Sequence, residues 1–138
     1  MRLSPMLRYW PLALALAWSL PAGAAPDTTP QKLLAAYTAQ AGTPASPERG
    51  EKLFNTNFGR DLGLSCASCH GSAPQKNGKH ALTDKRIAPL APAANPARFT
   101  DRTAVELNFR MNCKDVVGRE CTAAEKADVL SWLLTIRP

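Results

Sequence analysis

Five consecutive residues of this chain, Cys66-Ala67-Ser68-Cys69-His70, have the types and the spacing that hold a haem. On one helical turn, positions i, i+3 and i+4 share a face, so Cys66, Cys69 and His70 point in the same direction. Two thiols can then form thioether bonds to the haem vinyl groups while the imidazole binds the iron. The motif predicts one covalently attached haem c, because the chain contains no second C-x-x-C-H.

The N-terminus predicts export. Arg2 and Arg8 form a positive segment, and the apolar run from Trp10 to Leu20 is too short to span a bilayer. Small residues at Ala22-Gly23-Ala24 favour cleavage after Ala24, so residues 1–24 are predicted to be a signal peptide. An uncleaved membrane anchor is the alternative. Covalent haem attachment takes place outside the bacterial inner membrane, which agrees with export and predicts a periplasmic protein.

The mature chain, residues 25–138, has the length of one small domain. Loss of Arg2 and Arg8 lowers the formal net charge from +6 to +4. This mild positive charge suits docking to an acidic redox partner. Basic residues do not form a dense block with interleaved aromatics, which argues against nucleic-acid binding.

Helix signals recur along the mature chain, without the alternation of a strand, and predict an all-α fold. N-terminal capping signals lie at Thr29-Pro30, Ser46-Pro47, Thr100-Asp101 and Thr122. The first two helices are predicted to end at Gly42 and near Gly59, and residues 71–95 to form a loop. In the helix after Thr100, the candidate buried residues are Val105, Leu107 and Phe109.

Gly50 predicts a close crossing of two helices. Glycine inside a helix costs about 1 kcal/mol relative to alanine, and the absence of a side chain lets another helix approach. Trp132 on the last helix and Phe54 would pack at this crossing; the alternative is an incidental Gly50 with Trp132 packed on the haem. Crossing of the first and last core helices at a small residue resembles the class I cytochrome c fold.

The residues leave three candidates for the sixth iron ligand: Met111, Asn112 and His80. Met111 is the only methionine outside the predicted signal peptide, and His/Met is a frequent electron-transfer pair. His80 follows His70 by only ten residues in a polar loop, which favours an exposed loop histidine. Asn112 is unusual as an iron ligand, and composition alone ranks it last.

Two further cysteines, Cys113 and Cys121, should pair with each other in an exported protein. Their disulfide would close a short loop and fix the backbone beside Met111 and Asn112. A zinc site is a weak alternative, because seven residues separate these cysteines instead of the two to four of zinc knuckles.

The chain resembles the sphaeroides haem protein family of oxygen-binding cytochromes c over essentially its whole mature length. The resemblance rests on motifs at residues 48–50, 87–92, 98–101, 112–113, 117–122 and 125–130. It implies a class I cytochrome c-like fold with an extra N-terminal helix. It also implies that Asn112 is the distal ligand and that Cys113 and Cys121 form a disulfide. A dihaem cytochrome c is the redox partner that the family implies.

Met111 departs from the family pattern by placing a second possible ligand next to Asn112. Adjacent helical residues point about 100° apart, so only one can face the iron, and the family resemblance favours Asn112. A neutral amide oxygen is a hard donor that suits ferric iron better than ferrous iron. Asn112 should therefore leave on reduction and allow O2 or NO to bind. On the proximal side, the carbonyl of Pro89 is the predicted acceptor for the second imidazole nitrogen of His70.

Three functions follow from these residues. The first is a gas-binding cytochrome with a labile Asn112 ligand that exchanges electrons with a partner cytochrome. The second is an ordinary electron carrier with stable His70 and Met111 ligation. The third is a small reductase or peroxidase, which is disfavoured because no convincing acid–base pair is present; we therefore predict no catalytic residues.

Overall fold

Five α-helices make up about half of the chain that a computed structural model describes, residues 26–59 and 63–138. The helices are α1 (Pro30–Ala41), α2 (Pro47–Asn55), α3 (Cys66–His70), α4 (Arg102–Val116) and α5 (Ala123–Thr135). Two strands of two residues each, β1 (Gly78–Lys79) and β2 (Arg86–Ile87), pair antiparallel within the predicted loop. The predicted signal peptide lies outside the described residues. The all-α prediction is confirmed, and no described helix is long and apolar enough to cross a membrane.

Side-chain caps set the helix ends much as the sequence predicted. Thr29 caps α1 by accepting from the Lys32 backbone N–H, and Gly42 ends the helix with a left-handed φ of 66°. Thr122 and Glu125 form the predicted capping box of α5. The predicted end of α2 near Gly59 is wrong.

Helix α2 ends at Asn55 because its last carbonyl groups are bonded by side chains. The Asn55 amide donates to the Glu51 carbonyl at 2.9 Å, and the Thr56 hydroxyl donates to the Lys52 carbonyl at 2.6 Å. Thr56 itself is extended. The Lys52 carbonyl is the acceptor that the next helical residue would otherwise use, so the Thr56 hydroxyl satisfies it where the helix ends.

The core forms where α5 packs against α1 and α2. Gly50 lies at the crossing of α2 and α5, where a Cβ atom would overlap the backbone carbonyl of Asp128. The Phe54 and Trp132 rings pack beside it with their centroids 4.9 Å apart. The predicted crossing is confirmed.

Helix α4 contributes a smaller buried face, made by Val105, Cys113 and Val116. Leu107 is 43% exposed, so its predicted burial is wrong, while Phe109 is half-buried. Polar contacts join α4 to its neighbours. The Tyr37 hydroxyl of α1 donates to Glu106 at 2.7 Å, and the Lys126 ammonium of α5 donates to the same carboxylate at 2.6 Å.

Candidate haem site

Helix α3 presents Cys66, Cys69 and His70 to one cavity. Its first turn is fixed by a capping box in which Ser65 and Ser68 bond to each other's backbone N–H. Both cysteines are free of disulfide bonds. Burial raises the pKa of Cys66 to about 11, so this thiol is neutral until it reacts.

The cavity has a volume of about 760 Å³, within the range of about 300–1,000 Å³ that is usual for cofactor pockets. Most of its walls are apolar. The apolar lining side chains include Leu53, Phe54, Leu64, Leu90, Phe99, Val105, Phe109, Val129 and Leu133. Helix α3 and the loop after it form one side, and α4 forms another. The cavity thus brings the haem-binding motif together with the predicted distal residue.

His70 is held in the form that binds metals. Burial, together with the nearby positive charge of Arg98, lowers the pKa of His70 to about 4, so its imidazole is neutral at physiological pH. The Phe54 ring packs 6.2 Å from the imidazole, centroid to centroid. The Nδ1 atom of His70 is buried and has no hydrogen-bond partner among the described residues.

The predicted hydrogen bond from His70 to Pro89 is not formed. The Pro89 carbonyl instead accepts from Arg98 Nε at 2.9 Å and from the Asn95 amide at 3.2 Å. Two donors occupy the two lone pairs of a carbonyl oxygen, so none remains for His70. Pro89 therefore positions Arg98, and Arg98 lines the cavity.

On the opposite side, α4 directs Asn112 and Asn108 into the cavity. Met111 does not line the cavity and is 46% exposed on another face of α4. Sequence reasoning did not identify Asn108, although its position one turn before Asn112 places both on one helix face. The rotation of α4 thus favours Asn112 over Met111.

His80 also lines the cavity, which corrects its interpretation as an exposed loop residue. Its Nδ1 atom accepts from the backbone N–H groups of Leu82 and Thr83, which fixes the ring in the loop. The next residue, Ala81, donates its N–H to Cys69 Sγ at 3.4 Å. His80 therefore belongs to the Cys69 side of the cavity.

Cys113 and Cys121 are joined by a disulfide with Cα atoms 5.6 Å apart. Cys113 is buried near the end of α4, and Cys121 lies just before α5. Both line the cavity. The disulfide thus holds the end of α4 beside Asn112.

These residues fit a haem c. Two free thiols and a neutral imidazole share one face, and the cavity in front of them has apolar walls of suitable size. The zinc alternative has no support in residues 26–59 and 63–138, where no group of three or more His, Cys, Asp or Glu side chains could hold a metal ion.

Comparisons with known proteins agree with this fit. A family model described as a domain of unknown function (DUF1924) matches residues 40–133. The chain is 46% identical to cytochrome c-type protein SHP of Cereibacter sphaeroides, over 93% of this chain and 98% of that protein. It is 40% identical to cytochrome c'' of Methylophilus methylotrophus, over 78% of this chain and 81% of that protein.

Solved structures of both relatives share the fold. Oxidised SHP, named as an oxygen-binding cytochrome c, superposes with a TM-score of 0.73 at 48% identity, over 80% of this chain and 99% of that one. The solution structure of cytochrome c'', which concerns haem-ligand detachment, has a TM-score of 0.68 at 38% identity. That comparison covers 79% of this chain and 94% of the other.

Proposed function

The chain belongs to the family of c-type cytochromes that contains SHP and cytochrome c'', and from this we propose that it binds a diatomic gas at a site opened by release of Asn112. It is a monohaem cytochrome with one covalently attached haem c. Its helical fold is the class I cytochrome c-like one, preceded by the additional helix α1.

Each residue of the proposed site has a separate role. Cys66 and Cys69 hold the haem through thioether bonds, and His70 binds the iron on the proximal side. The haem supplies an iron that exchanges single electrons and binds small ligands when one axial position is open. Asn112 is the distal ligand of the oxidised protein.

The position of Asn112 carries this proposal. Asn112 faces the cavity that His70 also lines, whereas the side chain of Met111 points away from it. Ligation by Met111 in place of Asn112 would require α4 to turn by about 100°. This turn is opposed by the burial of Val105 and Val116 on the same helix. An electron carrier with stable Met111 ligation is therefore the weaker function.

Release of Asn112 on reduction follows from its chemistry. A neutral amide oxygen binds ferrous iron more weakly than ferric iron, because it is a hard donor. Asn112 also has a short side chain with free rotation about two bonds, so it can leave without unwinding α4. The relatives support this behaviour, since oxygen binding is named for SHP and haem-ligand detachment for cytochrome c''.

Electron exchange with a partner haem protein completes the proposal. The mature chain is cationic, with a formal net charge of +4, which suits an acidic docking surface. By family resemblance this partner is a dihaem cytochrome c in the periplasm. N-terminal sequencing of the purified protein tests export, because the proposal requires a mature chain that begins at Ala25.

Absorption spectra of the oxidised protein test the distal ligand. We expect Asn112→Ala to change the ferric spectrum, and Met111→Leu to leave it unchanged. Reduced wild-type protein should bind carbon monoxide. A far-red charge-transfer band that Met111→Leu abolishes would show methionine ligation and refute the proposal. Failure of the reduced protein to bind carbon monoxide would refute the opening of the site.

A further inference from the structure

Asn108 is a second amide side chain in the part of the cavity wall that α4 forms. It has no role in the proposed ligation of the iron. It lies on α4 four residues before Asn112, and both line the cavity. Helical side chains lean toward the N-terminus, so the amide of Asn112 covers the turn that carries Asn108. Cβ atoms at this spacing are about 5–6 Å apart, close enough for both amides to reach one point.

Asn108 is also free to donate a hydrogen bond. Nearby Glu106 accepts hydrogen bonds from Tyr37 and Lys126. In contrast, the Asn108 amide makes no hydrogen bond within the described part of the chain. An amide NH2 carries two donor hydrogens. The side chain of Asn108 is exposed and also lines the cavity, so these donors are available to a ligand in the space beside Asn112.

The other polar groups of the cavity wall are less suited to this task. Several already bond elsewhere: Ser65 to Ser68, Arg98 to two backbone carbonyls, Thr100 to Ala97, Asp101 to Ala104 and Lys114 to Glu120. His80 stands on the Cys69 side, on the loop that contacts Cys69 Sγ. Within α4, the two asparagines are the neutral donors that face the cavity.

We propose that Asn108 is a specificity-determining residue that donates a hydrogen bond to the diatomic ligand taking the place of Asn112. The inference rests on the proposed function and assigns a task to a residue outside the axial ligands. Such a donor favours ligands that accept a hydrogen bond. O2 draws more charge from the haem than carbon monoxide does, so the donor should favour O2.

The test compares O2 and carbon monoxide binding by the reduced haem protein. Laser photolysis of the carbon monoxide complex in mixed gases gives both affinities from one sample. Asn108→Leu removes the donor with little change in size, and leucine is a better helix former than asparagine. Thr103→Leu is the matched control, because Thr103 is exposed on α4 and does not line this cavity.

We expect Asn108→Leu to lower the O2 affinity about fivefold or more relative to carbon monoxide, the loss of one modest hydrogen bond. Asn108→Gln, which keeps the amide, should restore part of the ratio. The carbon monoxide stretching frequency should rise in Asn108→Leu only. The same loss should occur when Asn108→Leu is made in an Asn112→Ala background, which separates this donor from the freed Asn112 amide.

An O2 to carbon monoxide ratio within twofold of wild type in Asn108→Leu would overturn the inference. So would a matching loss in Thr103→Leu, or a loss in His80→Gln with none in Asn108→Leu. A wild-type protein that binds neither gas after reduction would instead refute the proposed function, and the inference with it. The two failures are distinguishable, because only the second appears in the wild-type protein.

Discussion

Replacement of Gly50 by alanine tests how the crossing of α2 and α5 builds the haem cavity. Helix α2 carries Leu53 and Phe54 into the cavity wall, and Gly50 lies one turn before Phe54. A Cβ atom at position 50 would overlap the carbonyl of Asp128, which belongs to the backbone of α5. Relief of this overlap requires the helices to separate.

Two opposing effects set the size of the change. Alanine in a helix is favoured over glycine by about 1 kcal/mol. Overpacking costs about 1–3 kcal/mol, and the upper end applies here because a rigid backbone atom is struck. Gly50→Ala should therefore lower the free energy of unfolding by about 2 kcal/mol. In a domain of this size, that change lowers the melting temperature by about 10 °C.

Thermal unfolding of the haem-loaded protein, followed by circular dichroism, measures the change. The control is Glu51→Ala, an exposed position on the same helix, which should change the stability by no more than about 0.5 kcal/mol. If Gly50 were incidental, alanine would stabilise the helix and raise the melting temperature. A rise in Gly50→Ala would thus refute the close crossing, since the two explanations predict opposite signs.

Two more predictions concern the ends and the surface of α4. Replacing Cys113 and Cys121 together by serine should lower the free energy of unfolding by about 2–3 kcal/mol, measured by urea denaturation; equal stability of this variant and the wild type would refute a role for the disulfide. Burial opposes ionisation of Glu106, but hydrogen bonds from Lys126 and Tyr37 outweigh it and lower the pKa of Glu106. Because its folded pKa lies below its unfolded value, Glu106 stabilises the fold above the unfolded pKa, and this contribution is lost as the pH falls through the folded one. The free energy of unfolding should therefore fall less on acidification in Glu106→Gln than in the wild type. Identical pH dependences would contradict this linkage.

Local chemistry made much of the fold predictable. The caps at Thr29 and Thr122 begin helices through bonds within one turn, and the C-x-x-C-H motif needs only one turn to align its side chains. Gly50 predicted the crossing because a glycine inside a helix lowers the stability of the helix. This loss is tolerated where another helix occupies the space of the missing side chain. The caps and the motif depend on few residues that are close in sequence, whereas Gly50 indicates a contact with Asp128, far along the chain.

The errors concern features that are set by how whole elements pack and by contacts beyond one helical turn. Leu107 is apolar yet exposed, since the rotation of α4 is fixed by the burial of Val105 and Val116. Pro89 is used by Arg98, nine residues later, which its own sequence context does not reveal. Asn108 resembles an ordinary surface residue of a helix, and only its spacing of four from Asn112 could have identified it.

In the proposed site, the choice between Asn112 and Met111 as distal ligand depends on how α4 is rotated, because the sequence offers both residues. Asn108 and Asn112 lie on one stripe of α4, whereas Leu107 and Met111 lie on the adjacent one, and both exposed apolar residues belong to the second stripe. Turning the helix by one residue would exchange an amide for a thioether at the iron. The Cys113 disulfide opposes that turn, because Cys113 is the next residue after Asn112 and is tied to the start of α5. In the site proposed above, the second pair of cysteines would thus favour a hard ligand that ferrous iron holds weakly, in place of a methionine that would keep the iron closed to gases.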